Sequence, residues 1–232
     1  MEVVSLDIAA NLERINVEIQ TALLKAKNPK EKVMLVPVTK NRSISEINKV
    51  IAAGYQVLGE NRVQELQEKF PQVPTNIEWH LIGHLQRNKV KYITDKVRLI
   101  HSLDSYKLAL EINRRMQPQN RPMNCLIQVN VAMEKNKHGL EMQEVIPFLE
   151  EVSLLPFLKI KGLMTIAPQV DDPEEVRPIF RELAKLFASL KKKDLPNVEM
   201  DFLSMGMTND FSVAVEEGAN IVRIGSAIFG PR

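Results

Sequence analysis

The sequence predicts an α/β fold: a single (β/α)8 barrel of the TIM type with one extra helix at its N-terminus. Three observations lead there. Eight short apolar runs alternate with amphipathic stretches along the whole chain. The length, 232 residues, suits one barrel, whose typical size is about 250 residues. No composition shift or linker divides the chain, so residues 1–232 are expected to form one domain. A doubly wound sheet is the main rival, but no strand leads into a G-x-G-x-x-G turn.

The elements follow in order. Over residues 7–26, Ile8, Leu12, Ile15, Ile19 and Leu23 recur every three or four positions, one apolar stripe on a helix. Asp7 can cap it and Asn28-Pro29 can end it, so residues 1–30 read as an addition packed on the barrel. Residues 33–39 are uncharged and rich in β-branched side chains, the pattern of a buried parallel strand, and they run straight into Lys40. Ser43-Ile44-Ser45-Glu46 then has capping-box spacing and opens a helix over 45–53 that Gly54 stops. Further strands are expected at 56–59, 78–82, 98–101, 124–131, 158–165, 200–203 and 220–224. Helices are expected after Asn61, then at 85–95, 105–116, 141–152, 173–193 and 208–217, with none after the eighth strand. In the third strand Trp79 and His80 must point to opposite sides. We expect Trp79 in packing and His80 toward the barrel interior and the ligand.

Composition bounds the function. With 44% hydrophobic and 26% charged residues, the chain looks like an ordinary globular protein. One cysteine, Cys125, excludes an internal disulfide and a cysteine metal cluster, and its apolar setting predicts burial. The N-terminus has no signal-peptide pattern, and no apolar run is long enough to span a bilayer, so a cytoplasmic protein is expected. A net charge of +2 and scattered aromatic residues argue against a nucleic-acid partner, and Lys191-Lys192-Lys193 reads as a solvated helix end. No apolar stripe is left over, which predicts a monomer. Met164, Met205 and Met207 are expected to fill gaps in packing, and His84 and His138 to lie in exposed loops.

In a barrel of this kind the loops after the strands form one face, where active sites sit. The strand ends offer Lys40, Asn61, His80, Ser102 with Asp104, Asn130, Thr165, Ser204 and Arg223. The turns at 204–208 and 223–226 combine glycine with hydroxyls after strands seven and eight, the usual place for a phosphate. A lysine facing a phosphate cradle points to an imine with a phosphorylated carbonyl compound. Two readings follow: a cofactor-free aldolase of sugar phosphates, or a pyridoxal phosphate protein. Arg223, able to donate to a pyridine nitrogen, favours the second.

Longer motifs carry a resemblance. They are Val-Pro-Val-Thr-Lys ending at Lys40, Gly-Glu-Asn-Arg-Val-Gln-Glu at 59–65, and Trp-His-Leu-Ile-Gly-His-Leu-Gln-Arg-Asn-Lys at 79–89. His-Ser-Leu-Asp at 101–104, Gln-Val-Asn at 128–130 and Gly-Leu-Met at 162–164 follow. The last two are Leu-Ser-Met-Gly-Met-Thr-Asn-Asp at 203–210 and Val-Arg-Ile-Gly-Ser-Ala-Ile-Phe-Gly at 222–230. The sequence resembles the pyridoxal phosphate homeostasis proteins, single-domain relatives of the alanine racemase barrel. The resemblance implies pyridoxal 5'-phosphate as a covalent aldimine on Lys40. Ser204, Thr208, Gly225 and Ser226 would hold the phosphate, Arg223 would face the ring nitrogen, and Asn61 and His80 would line the ring pocket. It further implies a protein of vitamin B6 homeostasis that buffers or delivers the cofactor, with dependent apo-enzymes as partners and no catalytic residues of its own. The residues 136–139 resemble the family's Lys-x-Gly loop.

The residues also speak against racemase activity. Two-base racemisation needs a second acid/base on the far side of the cofactor. In the racemases a second domain supplies that tyrosine, and this chain ends soon after its eighth strand. Tyr55, Tyr92 and Tyr106 are expected on or beside outer helices. The competing readings are a racemase with an atypical second base, the aldolase, and an adaptor that recruits proteins through its helices.

Overall fold

Eight parallel strands curl into a barrel in the computed structural model, which describes residues 7–26, 32–134 and 138–231. They are β1 (Met34–Pro37), β2 (Val57–Glu60), β3 (Glu78–Leu81), β4 (Val97–Leu103), β5 (Met123–Gln128), β6 (Leu158–Met164), β7 (Val198–Ser204) and β8 (Ile221–Ile224). Their spatial order is β1-β8-β7-β6-β5-β4-β3-β2. A bridge between Val38 and Gly59 joins the two ends, where Thr39 N–H donates to the Gly59 carbonyl at 2.9 Å. The (β/α)8 architecture expected from the alternating runs is therefore present.

Alternation along each strand sorts side chains to the two sides of the wall. Val36, Leu99, Leu126, Met164 and Ile221 form a small buried cluster inside the barrel, flanked by Met34, Val57 and Phe202. The outward side chains, among them Leu58, Trp79, Ile100, Cys125 and Leu163, join a far larger core with the helices. Trp79 is wholly buried there, so His80 faces inward, as the alternation requires. Burial pushes the Cys125 thiol pKa up, in keeping with a core residue. At Gly162 the φ is +144°, and a Cβ would stand 1.8 Å from the Phe202 carbonyl oxygen, so only glycine lets β6 approach β7 this closely.

The helices are α1 (Ile8–Lys25), α2 (Ile44–Ala52), α3 (Val63–Lys69), α4 (Tyr106–Met116), α5 (Val145–Val152), α6 (Arg177–Leu190), α7 (Phe211–Glu216) and α8 (Ser226–Phe229). Asp7 caps α1 by accepting from Ala10 N–H at 3.1 Å. The helix packs on α7 and α8, with Asn11 Nδ2 donating to the Ile228 carbonyl at 3.0 Å. The expected stop at Asn28-Pro29 and the start of the 136–139 loop lie outside the described residues. Both halves of the capping box form at Ser43 and Glu46, and α2 starts at Ile44, one residue before the expected helix start.

Two expectations are corrected. Residues 85–95 are not an α-helix but a 3₁₀ stretch, Arg87–Tyr92. Leu85, Val90 and Ile93 are all buried yet spaced by five and three, which one α-helical stripe does not match; i→i+3 bonds such as Ile93 N–H to Val90 O bring them to the core. The eighth strand, expected to be the last element, leads into the one-turn α8, because Ile228 and Phe229 turn back to be buried.

Candidate functional site

The end of β1 is fixed from behind. Met34, Val36 and Val38 face the barrel interior, Thr39 turns outward, and Lys40 stands in the turn just beyond. Thr39 Oγ1 donates to Glu60 Oε2 at 2.8 Å. Lys69 Nζ donates to the Thr39 carbonyl at 2.8 Å, to Glu60 Oε2 at 2.7 Å and to Glu65 Oε2 at 2.8 Å. Glu65 Oε2 also accepts from Asn41 N–H at 2.8 Å, and Asn41 adopts φ 56°. Both neighbours of the half-buried Lys40 are thus tied to one buried ion cluster. Glu60 is fully buried but well supplied with donors, since its Oε1 also accepts from Asn61 N–H at 2.7 Å. Sequence reasoning missed this cluster. The available signal was an acid at the end of an apolar strand with a Glu-x-x-x-Lys pair on the next helix.

A polar string crosses the barrel interior from the other side. Arg223, 3% exposed, pairs in register with Val36 of β1. Its Nη1 donates to Ser204 Oγ at 2.5 Å and its Nη2 to the Thr165 carbonyl at 2.8 Å. Ser204 Oγ lies 3.0 Å from His101 Nδ1, and His101 Nε2 lies 3.1 Å from His80 Nδ1. Burial, with help from the Arg98 charge, pushes the His80 pKa down to about 3. Burial, His80 and Arg223 hold His101 well below the usual imidazole range. Both rings are neutral at physiological pH, and with Arg223 donating at one end every contact in the string is satisfied. Burial lowers the Arg223 pKa to about 10, opposed by Asp210, so its guanidinium stays charged at neutral pH.

Above this string a cavity of about 550 Å³ opens at the C-terminal ends of the strands. Val38, Asn61 and Ile82 line one side, and Met207, Thr208, Asp210, Arg223, Gly225 and Ser226 the other, under the 166–173 loop. Gly206 (φ +91°) lets the turn after β7 fold onto α7, where a Cβ would stand 2.7 Å from that of Ala214. Asp210 Oδ1 accepts from Met207 N–H at 2.5 Å, and burial raises the carboxyl pKa. The hydroxyls of Thr208 and Ser226 meet at 3.1 Å. Asn61 Oδ1 is buried with no hydrogen-bond partner.

Of the eight residues expected in the site, Asn61, Thr208, Arg223, Gly225 and Ser226 line this cavity. Lys40, in the turn two residues beyond Val38, is not among the residues that line it. His80 and Ser204 lie beneath it, within the barrel, with Ser204 Oγ engaged by Arg223 and His101. Met164 and Met205 are fully buried, whereas Met207 lines the cavity. Tyr55, Tyr92 and Tyr106 all pack against the outer core, and Tyr55 Oη accepts from Asn16 of α1 at 2.8 Å.

The chain matches the model of the alanine racemase N-terminal domain over residues 11–232. It is 44% identical over 222 residues to a pyridoxal phosphate homeostasis protein of Aquifex aeolicus, covering 95% of this chain and 96% of the relative. The protein of that name from Escherichia coli K12 is 34% identical over 230 residues, covering 97% of each. Among solved structures, PipY of Synechococcus elongatus with PLP bound aligns with a TM-score of 0.81 at 31% identity, over 97% of this chain and all of that one. Alanine racemase of Bartonella henselae, 13% identical with a TM-score of 0.69 over 97% of this chain and 58% of its own, shares the fold alone. Near-full-length identity and the matched domain together show that the chain belongs to the pyridoxal phosphate homeostasis protein family, built on the alanine racemase N-terminal domain.

Proposed function

We propose that this chain is a cytoplasmic carrier of pyridoxal 5'-phosphate, holding the cofactor covalently on Lys40 and buffering it or passing it to dependent apo-enzymes. The observation that carries the proposal is the cavity itself: a pair of hydroxyls, a buried guanidinium and an unpartnered amide oxygen converge in front of the strand end that bears Lys40. These residues fit the cofactor. Thr208 and Ser226, with the backbone at Gly225, suit a phosphate. Asn61 Oδ1 accepts a donor that the protein does not supply. Arg223, anchored by Ser204 and Thr165, can donate to a pyridine nitrogen. The bound cofactor would supply an electrophilic aldehyde, and the amine of Lys40, in the turn just beyond the cavity residue Val38, would be the nucleophile that meets it.

The same residues support carriage rather than turnover. A guanidinium facing the ring nitrogen disfavours its protonation and leaves a weak electron sink. Asp210 and Arg223 are the titratable groups lining the cavity among the described residues, and Asp210 is held by the Met207 N–H. We read the protein as a monomer. Among the described residues no helix is long and apolar enough to cross a membrane.

The test is the absorption spectrum of protein incubated with pyridoxal phosphate, before and after borohydride, beside Lys40→Ala. The wild type should show a visible band that borohydride converts to a fixed adduct on the Lys40 peptide, and Lys40→Ala should show neither. Exchange of amino-acid α-protons in deuterated water should stay at the background of free cofactor. Absence of the band in the wild type overturns the assignment and restores the aldolase reading. Exchange above that background makes the protein a catalyst.

A further inference from the structure

Three loops at the barrel mouth bring two imidazoles and a carboxylate together outside the cavity described above. His84 follows β3, Asp104 follows β4 directly, and His138 lies in the return from β5. Asp104 Oδ2 is 3.4 Å from His84 Nδ1 and 4.0 Å from His138 Nδ1. One ligand atom from each residue lies within 4.8 Å of the other two. The two rings stack with centroids 3.8 Å apart and planes 8° from parallel.

The backbone at each position is held by its surroundings. Gly83, just before His84, sits so close to Asn61 that a Cβ would stand 2.3 Å from the Asn61 carbonyl oxygen. The Gly83 carbonyl also accepts from Ser102 Oγ at 2.7 Å. The His138 carbonyl accepts from Gln128 Nε2 at 2.9 Å, and two residues on Leu140 bridges to Val129. Asp104 adjoins Leu103, the fully buried last residue of β4.

We propose that His84, Asp104 and His138 form a binding site for a borderline divalent transition-metal ion, of which Zn²⁺ is the representative. Two imidazoles and one carboxylate suit such an ion, whereas calcium and magnesium take all-oxygen sets. Donors bound tetrahedrally at 2.0–2.2 Å stand roughly 3.3 Å apart. The 3.4 Å separation already meets that spacing, and the 4.0 Å separation closes with a small side-chain rotation. Because each ring must aim its lone pair at the ion, the stacked rings splay as it enters. Three protein ligands leave a fourth position open. His84 and Asp104 also line an open groove of about 820 Å³ beside the mouth, which gives water or a small anion access to that position. The ion cross-links the ends of three neighbouring strands.

The test is calorimetric titration of the untagged protein with Zn²⁺, with Co²⁺ as a spectroscopic probe. The wild type should bind one equivalent saturably, show visible cobalt bands and melt at a higher temperature with zinc present. His84→Ala, His138→Ala and Asp104→Ala should each weaken binding at least tenfold. A His84→Ala, His138→Ala double variant should abolish binding: the chain has four histidines, and His80 and His101 are buried, so no exposed imidazole remains to mask the loss. His84 and His138 are exposed, so their truncation spares the core. No saturable equivalent, or equal affinity in the three variants, overturns the site and leaves an adventitious surface ion only. The readout does not involve Lys40 or its cofactor.

Discussion

The two sides of the barrel wall are made of different material. Outside, Leu58, Trp79, Ile100, Cys125 and Leu163 merge with the helices into one hydrocarbon core whose largest buried members include Trp79 and Phe180. Inside, aliphatic packing stops at a layer around Val36, Leu99, Leu126, Met164 and Ile221, and a buried string of arginine, serine and two histidines leads toward the mouth. Burial of apolar surface supplies stability roughly in proportion to area, without regard to orientation. Hydrogen bonds in a low dielectric stabilise less on balance but fix direction. The outer side therefore holds the barrel together, and the inner side aims Arg223.

The strongest way to separate these roles is Phe180→Ala in α6. It should cost about 3–5 kcal/mol by urea unfolding, while the fraction of folded protein that takes cofactor onto Lys40 stays unchanged. A smaller but more telling effect is expected from Lys69→Met, which leaves Glu60 buried without its cation. The loss should be about 3 kcal/mol, and here borohydride labelling of Lys40 should fall as well, because Thr39 and Asn41 lose their anchor. Unchanged labelling would show that the cluster is structural only.

The most gradual effect is with pH. His80 and His101 bind protons more weakly in the folded protein than in the unfolded chain. Their contribution is therefore fully present above the ordinary value of 6.5 and is lost as the pH falls below it, by up to about 1.4 kcal/mol per pH unit for each ring. Urea midpoints measured between pH 7 and 5 should drop accordingly, and a His80→Asn, His101→Asn double variant should flatten the profile. A wild-type profile without slope in that window would mean that the rings take up protons inside the barrel.

The element order was legible because it is local. An uncharged β-branched run, the Ser43–Glu46 box and the alternation of Trp79 and His80 each report backbone conformation within a few residues, and each appears in the structure. The 3₁₀ stretch at Arg87–Tyr92 and the terminal α8 were misread because tertiary burial of Val90, Ile93, Ile228 and Phe229 decided them. Five cavity residues were legible from their place at strand ends. The partners that orient them were not. His101 lies 103 residues from Ser204, and Lys69 reaches back 30 residues to the Thr39 carbonyl.

By itself, then, the sequence determined the kind of barrel, the strand ends and the motifs of the family, because periodicity and turn chemistry act over short stretches of chain. The tertiary structure alone decided which distant side chains meet: inside the barrel Arg223 with Ser204 and His101 with His80, and at its mouth His84 with Asp104 and His138. Such meetings depend on the register between strands and the closure of the barrel, and no local pattern encodes either.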